Sequence, residues 1–292
     1  MRRNILSRIL LTALVALTMT TAVKAQSFSP FILSGKATTL GMGDVSFLAP
    51  ELATQKVDAA VSYGQWKPGS LAYATLQAGG FLALNERFGI RLDYRNNLFS
   101  AFDLIDENGN VKGSVKPGEQ RILLGASVRL ADVVVIDVNG KYLSADLAGN
   151  KASAFAGDVA VYYVKEGLTL GLKGLDIGTK YNYGSTAYSL PMRVMAGGSY
   201  RIAPSEQHAV SFGADLGYIL PKEYSAFTAA LGTEYAFNQM IFARAGYHFS
   251  SAVAPRFASF GLGFAFKGIG LDAAYLLGPS GNSWTAGLRV TL

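Results

Sequence analysis

From residue 57 to the end, the chain alternates apolar and polar positions in short runs. The last run is the clearest: Trp284, Ala286, Leu288, Val290 and Leu292 fall on one face, and Thr285, Gly287, Arg289 and Thr291 on the other. Successive side chains of a strand point to opposite faces, so a period of two predicts strands with one apolar and one polar side. Fourteen such runs are legible, from 57–66 to 283–292, most near the ~9–11 residues of a tilted membrane strand. Their connections are alternately short (85–87, 131–132, 165–167, 238–239, 267–268) and longer (104–119, 144–153, 178–191, 250–255). Short turns at one end and long loops at the other are the signature of a closed transmembrane barrel. The expected fold is therefore all-β, a 14-stranded antiparallel barrel over residues 56–292. In the run 71–84 the alternation falters around Gly79-Gly80, and a β-bulge is expected there.

The two faces differ in chemistry. One carries Phe88, Ile90, Leu92, Ile122, Leu124, Phe212, Leu216, Phe260, Leu262 and Phe264, and suits lipid. Tyr94, Tyr142, Tyr218, Tyr247, Tyr275 and Trp284 near the loop ends, and Phe88, Tyr163, Tyr200 and Tyr235 near the turn ends, form two expected aromatic girdles. The opposite face carries charge: Asp58, Arg91, Asp93, Arg95, Arg121, Arg129, Asp137, Lys141, Asp158, Lys173, Arg193, Arg201, Asp215, Glu234, Arg244, Asp272 and Arg289. Such mixed signs predict ion-pair networks across a lumen rather than a pore selective for one charge.

Residues 1–25 read as a secretory signal peptide: Arg2, Arg3 and Arg8 precede an apolar run, and Val23-Lys24-Ala25 supplies a cleavage site. Four of the 26 Lys and Arg lie in that leader and none of the 20 Asp and Glu does, so the remainder has 22 basic and 20 acidic residues, net +2. Basicity thus gives no support to a nucleic-acid partner. Residues 26–55 are apolar, glycine-containing and without a period. A barrel of this size leaves space to fill, and this segment is expected to fold into the lumen as a plug.

Catalytic signatures are lacking. The chain has no Cys and only two His, and no G-x-S-x-G elbow accompanies Ser250 and Ser251 beside His248. Asp106-Glu107-Asn108-Gly109-Asn110 fails the calcium-loop spacing, with Val111 at position six and Pro117 at position twelve. Gly261-Leu262-Gly263 is followed by no phosphate-binding Lys, and inward glycines make room for a neighbour. A non-enzyme with no cofactor or metal is expected. The loop segment 180–188, with Tyr181, Tyr183 and Tyr188, has the Tyr, Ser, Gly and Asn mixture of an adaptable contact surface.

Several pieces resemble the PorV/PorQ group of FadL-like outer-membrane barrels of Bacteroidota: Ala37-Thr38-Thr39-Leu40-Gly41-Met42-Gly43-Asp44-Val45, Gly140-Lys141-Tyr142-Leu143, Leu190-Pro191-Met192-Arg193, Gly232-Thr233-Glu234-Tyr235 and Arg244-Ala245-Gly246-Tyr247. The ending Thr285-x-Gly287-x-x-Val290-x-Leu292 is similar to a barrel-assembly signal. The family's Asn-Pro-Ala stretch has its nearest counterpart in Ala49-Pro50-Glu51-Leu52-Ala53. The resemblance implies an outer-membrane protein surrounded by lipid. It would be a shuttle, anchor or scaffold binding other outer-membrane or secreted proteins, as in type IX secretion. The alternative is a FadL-like channel for hydrophobic small molecules.

Overall fold

The computed structural model describes residues 30–292 apart from 68–71, 106–108, 148, 184, 222–224, 252–254 and 280. The leader at 1–25, the first plug residues 26–29 and the Asp106-Glu107-Asn108 stretch lie outside the described residues. Fourteen antiparallel strands close into one barrel. The first strand, Val57–Trp66, pairs on one side with Tyr73–Ala83 and on the other with the last, Gly281–Thr291. The amides of Lys56 and Val57 donate to the Leu292 carbonyl, and the Leu292 amide donates back to the Val57 carbonyl. The C-terminal residue thus zips the seam and leaves no open edge.

Three short connections have positive φ at both central residues: Glu166-Gly167, Asn238-Gln239 and Lys267-Gly268. That is the type I′ geometry, whose twist matches the flanking strands. At the other end the strands run past their expected limits, as in Gly118–Ala131, Val134–Leu147 and Asn150–Lys165. Two segments expected as plain loops contain small hairpins, Phe102–Ile105 with Val111–Val115 and Tyr181–Tyr183 with Thr186–Tyr188.

Ile90, Leu92, Leu124, Phe155, Leu172, Leu216, Leu231, Phe260, Leu262 and Leu271 are exposed on the outer face. An apolar exterior around a closed antiparallel wall is that of a transmembrane barrel. On this face the Trp284 ring packs edge-on against Tyr63 at 5.7 Å, near the loop end.

One expectation of local register is corrected. No bulge occurs at Gly79-Gly80: both neighbours pair with Tyr73–Ala83 in unbroken register. The faltering alternation arises because the inward positions Tyr73 and Phe81 are aromatic and buried in lumenal clusters. Register shifts instead between Arg129 and Ala131, where Gly118–Ala131 pairs with Val134–Leu147, and between Gly157 and Val159, where Asn150–Lys165 pairs with Leu168–Gly178. Strict alternation from Lys173 would turn Asp176 outward, towards lipid. The extra residue, with Asp176 at φ 58°, brings that carboxylate into the interior at 3% exposure.

The described plug residues enter as a 3-10 turn, Pro30–Ile32, and two short helices, Ala37–Gly41 and Glu51–Thr54. They lie inside the barrel, with Phe31, Leu33, Leu40, Met42, Val45 and Phe47 all buried. The interior is layered. At the loop end Leu33, Ala37 and Leu40 pack with Trp66, Tyr73, Phe99, Phe257 and Leu276, and Phe31 packs with Leu143, Ala154, Ala156 and Leu190. At the turn end Phe47 and Leu52 pack with Phe81, Val135, Ala160 and Tyr162.

Candidate functional site

The plugged lumen is the candidate site, and side chains of the wall hold the plug backbone. Apolar side chains alone would fill the space without orienting it. An irregular segment also has amides and carbonyls that a buried setting must satisfy. Arg95, with no exposed surface, donates from Nη1 to the Leu33 carbonyl at 2.6 Å, and its guanidinium lies 5.6 Å from the Phe31 ring centre. Arg193 donates to the Ile32 carbonyl. Asp215 accepts from the Ser46 amide at 2.6 Å and the Phe47 amide at 3.4 Å. Lys173 donates to the Ser46 carbonyl at 2.5 Å while its ammonium sits 4.2 Å from the centre of the Phe47 ring. Arg91 reaches Glu51 at 2.5 Å, and Arg129 reaches the Leu52 carbonyl at 2.7 Å.

Between these anchors the plug backbone lies directly on the wall. A Cβ at Gly232 would meet the Met42 carbonyl, and one at Gly246 would meet Met42 and Gly43 main-chain atoms. In the same paired row, Gly213 faces Val45, and Ser259 accepts from the Gly43 amide at 2.9 Å and donates to the Gly41 carbonyl at 3.2 Å. The row is thus a groove of small residues that seats the turn at Met42–Asp44.

The other charges expected in the lumen pair chiefly with one another. Arg121 meets Asp93 at 2.6 Å. Lys141 lies 2.7 Å from both Asp158 and Asp176, and Arg193 joins Asp176 at 3.3 Å. Arg244 bridges Glu234 and Asp272 at 2.7 Å each, with Arg289 at 3.8 Å from Asp272. Asp137 accepts from Ser127 at 2.6 Å. Arg201 is exposed at the turn end of its strand. Tyr181 and Tyr183 lie with ring centres 6.4 Å apart, Tyr183 and Tyr188 5.9 Å apart. Tyr181 also leans on the cluster around Phe31, whereas Tyr188 is exposed. Strand parity missed Asp176, whose own signal was a carboxylate at an outward position. Lys36, Asp44 and Glu51 belong to a segment with no period to read.

No protein-family model and no curated protein matches the sequence. Solved structures do match in shape. The Pseudomonas putida toluene transporter TodX superposes with a TM-score of 0.57 at 13% identity, over 91% of this chain and 98% of that one. The fold is FadL-like. The Ralstonia pickettii toluene transporter TbuX gives 0.59 at 13% identity over 89% of this chain and 98% of its own. A Pseudomonas aeruginosa FadL homologue gives 0.56 at 11%, over 91% and 98%. The narrower PorV/PorQ resemblance rests on the sequence pieces alone.

Two plug carboxylates make docking of the plug depend on pH in opposite directions. Burial pushes Asp44 up from 3.8 to about 7, against the Ser34 amide, which it accepts at 3.1 Å, and the charges of Arg193 and Arg95. Burial would raise Glu51 as well, but Arg91 and Lys36 outweigh it and hold the carboxyl at about 2. A raised carboxyl binds its proton more tightly when docked, so the Asp44 contribution weakens docking as pH rises from about 4 to about 7. The Glu51 contribution is full above about 4.5 and is lost as pH falls towards about 2. Protection of residues 30–55 from hydrogen exchange is therefore expected to peak near pH 4–5. In Asp44→Asn the decline towards neutral pH should vanish. An unchanged decline in that variant would remove Asp44 as its source.

Proposed function

We propose that the chain is a non-enzymatic outer-membrane channel for small hydrophobic molecules, exported after removal of residues 1–25 and closed by its own plug. The observation that carries this reading is the buried apolar cluster at the loop end, where Trp66, Tyr73, Phe99, Phe257 and Leu276 pack with Leu33 and Leu40 of the plug. The Trp66 and Tyr73 rings are stacked, 6.1 Å apart and 4° from parallel. An apolar solute arriving between the loops gains by replacing plug side chains against these rings. The ion pairs below it bar such a solute while the plug is docked, because they offer it no apolar surface. Passage then requires the plug to move. Likeness in fold to toluene transporters supports an aromatic hydrocarbon as the first solute to test.

The chain has no Cys, which permits a clean test. A Cβ at position 213 would stand 3.6 Å from that of Val45, within the ~3.5–4.5 Å that a disulfide spans. The double variant Val45→Cys/Gly213→Cys, in liposomes, should pass toluene when reduced and stop when oxidised. Equal transport in both states would show that the plug does not gate. Wild-type protein that neither binds nor passes toluene would remove the channel reading.

A second reading is favoured by one feature. The two small hairpins at the loop end expose Phe102, Leu104, Val111 and Tyr188. Exposed apolar side chains on projecting hairpins fit a protein-binding role, the shuttle, anchor or scaffold of the PorV/PorQ group, with other outer-membrane or secreted proteins as partners. Retention of a stoichiometric partner after gentle solubilisation, lost in Val111→Ser/Tyr188→Ser, would favour it over the channel.

A further inference from the structure

Between the plug and the wall of the first strands lies a polar chamber of about 140 Å³. It is distinct from the apolar cluster at the loop end, and its groups are incompletely used. Asp58 lines it, is only 7% exposed, and its carboxylate makes no hydrogen bond or ion pair among the described residues. Across the same space Lys36 makes a single loose ion pair, 3.5 Å from Glu51. The buried Gln77 Oε1 accepts nothing, and the buried Nε atoms of Arg91 and Arg121 donate to nothing. These three atoms are fully enclosed, so the charged groups with capacity left to face the cavity are the Asp58 carboxylate and the Lys36 ammonium.

The charges select the occupant. Lys36, Arg91 and Arg121 against Glu51, Asp58 and Asp93 sum to zero. A lone cation would meet three positive groups and a lone anion three negative ones. A molecule with both charges, a few atoms apart, satisfies both sides. In volume the chamber compares with the apolar cavity of about 150 Å³ that accepts six-carbon benzene, so the solute has about five or six heavy atoms. We infer that this chamber is a binding site for a small zwitterion of the amino-acid type. Its ammonium would donate to Asp58, and its carboxylate would accept from Lys36. The site does not depend on the hydrocarbon reading.

Glycine is the probe, with the folded full-length mature protein in detergent and saturation-transfer NMR of the glycine signal as readout. Saturable binding is expected. Methylamine and acetate, each carrying one end only, should bind at least about tenfold more weakly, the worth of one charge-assisted hydrogen bond. Asp58→Asn and Lys36→Met should each weaken glycine by a similar factor, with heat-modifiable gel mobility reporting that the barrel is intact. Lys36 lies in the plug and serves as the second variant should Asp58→Asn fail to fold. No saturable signal from wild-type protein would mean a chamber of water and would overturn the assignment. So would methylamine binding as tightly as glycine, or glycine indifferent to both substitutions. Transport of toluene is a separate readout, so failure of either proposal leaves the other standing.

Discussion

Gly246→Val should unseat the plug and leave an open lumen. The side chain of residue 246 points inward onto the main chain of Met42 and Gly43, and even a Cβ would overlap atoms of that peptide. The overlap is with backbone on both sides, since the wall at this row is paired to Gly232 and Ser259. Neither partner can turn aside as a side chain would. Overpacking of a tight interior costs about 1–3 kcal/mol and more where nothing yields, so docking should weaken by about a hundredfold. The barrel strands keep their pairing, because valine is favourable in a strand. The expected result is liposome swelling in sugars that the wild-type protein excludes, with residues 30–55 becoming open to protease. Normal closure in this variant would mean that the plug leaves the wall at little cost.

Lys141→Met should be the most destabilising single change in the wall. The ammonium is buried between two carboxylates, 2.7 Å from Asp158 and 2.7 Å from Asp176. Methionine keeps the length and loses the charge, so two buried anions are left facing each other across the bulge. Removing one partner of a buried pair costs about 3–5 kcal/mol. Here Arg193, 3.3 Å from Asp176, compensates only one of the two carboxylates. Urea unfolding of the barrel in detergent should show a loss of that size, and Lys141→Met/Asp158→Asn should recover part of it. A loss under about 1 kcal/mol would mean that water already solvates this cluster.

The barrel was legible because its cause is local and repeated. Each strand places residues on alternate faces, and lipid on one side of the wall and a polar interior on the other write that alternation into the sequence. The same periodicity gathers the charges from Asp58 to Arg289 on one face of the strands. It failed where the period was interrupted or disguised. Aromatic residues at the inward positions Tyr73 and Phe81 imitated a slip that the backbone does not make, and the bulge at Asp176 sits among Gly171, Gly174 and Gly178, in a strand too rich in glycine for any one of them to mark it.

Composition suggested that residues 26–55 would fill the interior, but not how they would lie there. The partners of the plug are a hundred or more residues away along the chain at many of its anchors. Asp215 accepts the Ser46 and Phe47 amides, Ser259 clasps Gly41 and Gly43, and Gly232 and Gly246 yield space to Met42. The order of residues thus specifies a wall with a greasy outside and an ionic inside, since that depends on a two-residue rhythm. Which ions pair, which grip the plug, and which are left unmatched around a cavity depend on distances across the lumen. Those distances follow from closing fourteen strands into one ring, a constraint that no local stretch of sequence records.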